Sequence, residues 1–341
     1  MLGAAPWCLR WSERASWSPL RLSLAIAAVL GAAFLAVELA LGRLALVGRV
    51  GFVTADFNIA LGLIALVAYL PGAFAAAVRG AERTLLELTP AFSRREEAEV
   101  ARSSVAGRRE TWRLRRVGIT GAVAGMLVPF ATNLTLATWF LSELTPEAIV
   151  HRMLLPVFGW FTARFAAVVW AESRGLAVLG RSSLRVDLLD LRPLAPLAKA
   201  GLRDAFLCAG ALSLLLLGFR DPGVAPGLPY VITLGAAANV VLSAGTLWLA
   251  VRGGHEAIQR EKRRANEAAD VAIRGLREPG AKHAAGALAD ALAWKRLVAD
   301  APDWPIDFPT LQRFVVPLAL PLASLLAGAF LEVAFSRVVP G

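Results

Sequence analysis

Seven stretches of the chain are apolar and long: 22–41, 54–78, 117–141, 149–171, 205–219, 229–251 and 314–335. At 1.5 Å of rise per helical residue, about 20 residues cross a hydrocarbon core of about 30 Å, and six of the seven meet that length. The fifth is short and borrows from its flanks. The expected fold class is therefore all-α: a polytopic α-helical membrane protein with seven transmembrane helices. Short connections on one side and long ones on the other group them as three hairpins (spans 1–2, 3–4 and 5–6) plus one final span.

The polar stretches between these runs set the remaining divisions. Residues 1–21 mix Trp and Arg around Trp7, Trp11 and Trp17 and read as a segment lying along the membrane surface. Residues 22–251 form a six-helix region with long loops at 79–116 and 172–204. Residues 252–313 are the largest extramembrane piece, and 314–341 hold span 7 and a short tail. Within the third loop, Glu256–Arg260, Arg263–Glu267 and Asp270–Arg274 stand at i,i+4, the spacing of ion pairs on a helix. Glu278-Pro279-Gly280 breaks the pattern, and 281–300 resumes it with Ala284, Leu288 and Leu292 on one stripe. Pro302 and Trp304-Pro305 end it, so 254–300 is predicted to be a projecting helical hairpin.

A faint repeat accompanies the hairpins. Spans 2, 4 and 6 are followed by Arg79-Gly80, Arg174-Gly175 and Arg252-Gly253, which read as a snorkelling Arg before a helix-capping Gly. The phrases Leu85-Leu86-Glu87-Leu88-Thr89-Pro90 and Leu188-Leu189-Asp190-Leu191-Arg192-Pro193 follow in the first two loops. Ile306-Asp307-Phe308-Pro309 is a looser third copy.

Charge gives the pattern a direction. Of the 36 Lys and Arg residues, 30 lie in the N-terminal segment and the three long loops, and only Arg43, Arg49, Arg152, Arg220 and Arg337 lie on the opposite side. Positive residues are retained in the cytoplasm, which orients the chain with its N-terminus inside and its C-terminus outside. The same loops hold 20 of the 26 acids, so that side alone accounts for the net charge of +10. A basic excess tied to loop retention points to anionic lipid headgroups and excludes a nucleic-acid surface. Trp139, Trp170 and Trp248 at span ends fit an aromatic belt. Span 1 exceeds a signal-peptide core and lacks an A-x-A site, so it reads as a retained anchor in the cell (inner or plasma) membrane.

Polar residues inside spans are the candidates for function, since a charge at the bilayer centre costs about 2.5–3.5 kcal/mol on insertion scales. Glu38 in span 1 and Glu332 in span 7 share a level with His151 and Arg152, either as cation or proton ligands or as partners of those bases. Arg164 lies about seven residues inside span 4. Asn133 in span 3 and Asn239 in span 6, the latter with Ser243 and Thr246, are placed for interhelical hydrogen bonds. Gly121-xxx-Gly125 permits close packing of span 3, while Pro71, Pro129, Pro156, Pro317 and Pro321 interrupt spans.

No span contains Lys, and no phosphate loop, nucleophile elbow or His-Glu-x-x-His is present. Three scattered His and the two cysteines, Cys8 and Cys208, share no ligand spacing, so neither metal nor cofactor is expected. The leading expectation is a non-enzymatic accessory or scaffold subunit of a larger membrane assembly, docking a protein partner through 254–300. Its rival is a transporter or channel built on Glu38, Glu332 and Arg164. The weakest is an enzyme acting on lipid through Asp187, Asp190 and Arg164.

Overall fold

A computed structural model of the chain describes residues 7–41, 55–92, 112–131, 146–182, 184–218, 228–276 and 284–305, with residues 96, 99, 100 and 312. Every regular element among them is helical. In chain order these are α1 (Trp7–Arg14), α2 (Pro19–Ala40), α3 (Ala55–Glu87), α4 (Trp112–Ala131), α5 (Pro146–Ser182), α6 (Ala195–Gly218), α7 (Leu228–Leu276) and α8 (Ala284–Asp300). Four of these helices are long and apolar enough to cross a membrane, over Pro19–Ala40, Ile59–Glu87, Ile149–Arg181 and Thr233–Leu276. Span 7, with Glu332, Pro317 and Pro321, lies outside the described residues, as do Asn133, Trp139 and the 306–309 phrase.

Helices adjacent in sequence pair antiparallel: α2 with α3, α4 with α5, and α6 with α7. The three pairs join through contacts of α3 with α5 and α6, and of α5 with α7. α3 is the axis of this assembly. Its apolar window is 78% buried, against 17% for those of α2 and α5. On α2, Leu20, Leu24, Val29, Val37 and Leu39 stand exposed. Outward leucines and valines of this kind are consistent with a membrane helix.

Glycine sets the closest approach. A Cβ on Gly121 would collide with the Gly159 carbonyl, one on Gly125 with that of Leu155, and one on Gly118 with the Trp160 ring at 2.9 Å. The Gly121/Gly125 spacing thus seats α4 on α5, backbone against backbone.

The Arg-Gly pairs do not cap helices. α3 continues past Gly80 to Glu87, α5 past Gly175 to Ser182, and α7 past Gly253 to Leu276. Tertiary packing uses two of these glycines instead. Gly80 leaves room for the Arg203 guanidinium, and Gly253 lies against Gly180 and Ala177 of α5. Two boundaries move as a consequence. The 172–204 loop shrinks to the turn between α5 and α6, and α6 begins at Ala195, so the short fifth run does draw on its N-terminal flank. The predicted hairpin is not a separate unit: its first arm continues the sixth apolar run as one 49-residue helix.

The two Leu-rich phrases form matching elbows. Leu88 and Leu191 enter 3-10 turns at Thr89–Ala91 and Arg192–Leu194, each with Pro in its first positions. The turns touch, Phe92 bridges Leu184, and Arg185 N donates to Ala91 O at 2.8 Å. Around them Leu88, Leu176, Leu194, Leu197, Ile258 and Val298 belong to the largest buried apolar cluster among the described residues. At the same end α1 turns into α2 through Ser16, the one non-glycine residue described with positive φ (50°). Ser18 accepts from Arg21 N at 3.2 Å to cap α2. Cys8 and Leu9 of α1 are buried against Leu22, Phe74 and Val78, so α1 packs on the bundle.

Candidate functional site

Among the described residues, a buried polar cluster occupies the junction of α3, α5 and α6. Arg203 of α6 donates from Nε to Asp204 Oδ1 at 2.9 Å, from Nη2 to Glu172 Oε1 of α5, and from Nη1 to Thr84 Oγ1 of α3 at 3.4 Å. Thr84 in turn donates to the Gly80 carbonyl at 2.9 Å. Asp204 is fully buried, and Glu172 and Thr84 are nearly so. Two carboxylates share one guanidinium, and Glu172 Oε2, Asp204 Oδ2 and the neighbouring Ser173 Oγ have no hydrogen-bond partner among the described residues. A buried group left in this state carries the desolvation cost that pairing would offset.

Sequence reasoning missed this site because it assigned 172–204 to a solvated loop. The adjacent Arg203-Asp204 before an apolar run was the available signal. Nothing local linked it to Glu172, 31 residues earlier, or to the space that Gly80 leaves.

The sequence-predicted residues are placed separately. Arg164 faces aromatic rings: its guanidinium carbon lies 5.7 Å from the Phe74 ring centre and 5.4 Å from that of Trp160. Glu38 is 2% exposed near the far end of α2. One turn earlier, Phe34 packs at 5.3 Å on Phe57, in a cluster that includes Val150 and Leu154 of α5, the residues flanking His151 and Arg152. Within α7, Asn239 accepts from Ser243 Oγ at 3.5 Å and Thr246 Oγ1 donates to Ser243 O at 2.9 Å, while Ser243 also hydrogen-bonds Cys208 of α6 across the helix interface. Asp187 and Asp190 each cap a turn, accepting from Leu189 N at 2.9 Å and Arg192 N at 3.1 Å.

The charge pairs of α7 have other partners than the sequence predicts, although one of them, Arg252–Glu256, keeps the i,i+4 spacing. Glu256 binds Arg181 of α5 and Arg252, at 2.7 Å for the latter, while Asp270 binds Lys295 of α8 at 2.6 Å. Arg260 donates to the Gly180 carbonyl at 2.6 Å. For Asp270 a tertiary partner, Lys295, replaces the predicted neighbour Arg274; an exposed i,i+4 pair contributes only about 0.3–0.5 kcal/mol.

One face of α7 then holds the chain that follows α8. His255 Nδ1 donates to Asp303 O at 2.6 Å, Gln259 Nε2 to Asp303 Oδ1 at 2.9 Å, and Lys262 Nζ to the same carboxylate at 2.7 Å and to Ala301 O. Lys262 beside it holds the Asp303 carboxyl below the usual range. Trp304 stacks on His255 with ring centres 4.1 Å apart. On α8, Leu288, Ala291, Lys295 and Val298 turn inward, which shifts the packed stripe off Leu292. Leu292, Trp294 and Leu297 are exposed.

These features define the class: an all-α protein with four described helices able to cross a membrane, a buried ion cluster at one end, and a helical hairpin extending from that end. Comparison with family models, curated proteins and solved structures finds no match to this chain.

Proposed function

We propose that the chain is a seven-span protein of the cell (inner or plasma) membrane, N-terminus cytoplasmic and C-terminus outside, that acts as a non-enzymatic scaffold subunit. It docks a protein partner through the hairpin of α7 and α8. One observation carries this reading. Lys295 pairs with Asp270, which sets Trp294 and Leu297 at a level 19 residues beyond Val251, the end of the sixth apolar run. At 1.5 Å per residue that is about 28 Å along the axis of α7, well beyond the headgroup layer. An exposed Trp beside an exposed Leu at that distance has a protein, not lipid, as its natural cover.

The test is purification in mild detergent of wild type and of Trp294→Ala/Leu297→Ala. A partner held by wild type and lost from the double variant, with helix content and elution unchanged, is the expected result. A protein that purifies alone, or a partner held equally by both, overturns the reading.

A second reading is a conduit for a small solute or ion through Glu38, Arg164 and Glu332. It is favoured by the burial of Glu38 within an apolar bundle. Flux into proteoliposomes that Glu38→Gln abolishes would establish it, and equal flux with and without protein would dismiss it. The lipid-enzyme reading has the least support, because the carboxylates it needs serve as turn caps.

A further inference from the structure

A basic groove runs between α5 and α7 on the same end of the molecule, with a volume of about 390 Å³. Arg181 of α5 and His255, Glu256, Gln259, Arg260 and Arg263 of α7 line it. Three arginines against one glutamate leave this lining at +2 with His255 neutral. The glutamate is already engaged on both oxygens, Oε2 by Arg181 and Oε1 by Arg252. Arg260 commits one N–H to Gly180 O, out of the five a guanidinium carries.

The height of the groove identifies its surroundings. Trp170 and Trp248 are 44% and 54% exposed. They lie at similar heights, since Gly245, one turn before Trp248, lies against the Trp170 ring. Trp304 joins Trp248 with ring centres 5.7 Å apart. Exposed Trp at the ends of apolar helices marks the headgroup level. Arg260 reaches back along the helix to the Gly180 carbonyl, which lies beside Gly253, and Gly253 follows Trp248 by five residues, about 7 Å along the axis. The Gly180–Gly253 crossing brings the backbones of α5 and α7 together between the Trp pair and the groove.

We propose that this groove binds the phosphate of an anionic phospholipid headgroup, with Arg260 and Arg263 donating to its oxygens and Arg181 at the rim. Planar guanidinium forks match phosphate geometry and are the usual means of holding it. The positive lining repels the trimethylammonium of phosphatidylcholine, so the site selects phosphatidylglycerol over phosphatidylcholine. The inference rests on the membrane reading of the chain and is independent of the docking face at Trp294.

Native mass spectrometry of the full chain in mild detergent, with equimolar phosphatidylglycerol and phosphatidylcholine, tests it. Wild type retains phosphatidylglycerol preferentially. Arg263→Gln lowers that retention about fivefold, the effect of one basic residue near a membrane surface. Arg260→Gln/Arg263→Gln lowers it further, and Arg274→Gln, on the hairpin beyond the groove, leaves it unchanged. Equal retention of the two lipids, or wild-type retention by the double variant, overturns the proposal. Inorganic phosphate that displaces phosphatidylglycerol and matches its protection against heat would make this a free-phosphate site, which also overturns it. Carbonate extraction of cell membranes reports on the membrane reading separately: release of the chain would end that reading, whatever the lipid result.

Discussion

At the junction of α3, α5 and α6, Arg203 is bonded to both Glu172 and Asp204, so removing its charge leaves two buried carboxylates facing each other. Breaking such a pair from one side costs about 3–5 kcal/mol, whereas replacing all partners together is often neutral. Arg203→Met is therefore expected to lower the melting temperature in detergent sharply, and Glu172→Gln/Arg203→Met/Asp204→Asn to recover most of the loss. A single variant that melts with wild type would contradict the arrangement. Cys8 gives a second expectation at this scale. Burial pushes its thiol up to about 11, from an ordinary value of 9.0. At pH 8 its thiolate fraction falls about a hundredfold, and alkylation slows by at least that factor until the chain is denatured. Labelling followed by mass spectrometry, with and without denaturant, reads this directly. Of the residues that matter here, Arg164 was legible because it interrupts an apolar run. The Glu172–Arg203–Asp204 cluster was not, because its members come from two distant segments and only helix packing joins them.

Among elements, the α4–α5 contact depends on glycines that leave no space for a side chain. Gly159→Leu is expected to push these helices apart and to cost at least the 1–3 kcal/mol or so of an overpacked core. Crosslinking between cysteines placed along the two helices would detect the separation, and unchanged crosslinks would refute it. The segment after α8 supplies a pH dependence. Asp303 is held below its ordinary range by Lys262, so the folded form binds its proton less readily than the unfolded chain. The clasp is thus intact above the ordinary Asp range and is lost as pH falls through the lowered value. Protease cleavage near residue 301 should accelerate below about pH 4, the ordinary range of an Asp carboxyl, and Lys262→Met should show the faster rate already at neutral pH. Helix ends were the least legible feature at this scale. Arg-Gly carries the signature of a helix end, yet Gly80 and Gly253 lie within helices. Each is used for close approach to another element, and that use is invisible to local sequence.

For the whole molecule, the seven-span proposal predicts opposite locations for the two termini. Reporters fused at residue 1 and after residue 341 should be active inside and outside respectively, and two reporters on one side would rule out an odd number of spans. The described apolar helices and their pairing into hairpins were written in the chain. A run of about 20 apolar residues is long enough for a membrane helix whatever lies next to it, and short connections make sequence neighbours pair. What only the tertiary structure decided was how the hairpins meet: α3 at the centre, Gly121 on Gly159, α7 running unbroken into the hairpin, and Arg203 between two carboxylates. Those contacts depend on the heights and rotations of helices far apart in sequence, which are set by packing rather than by hydrophobicity.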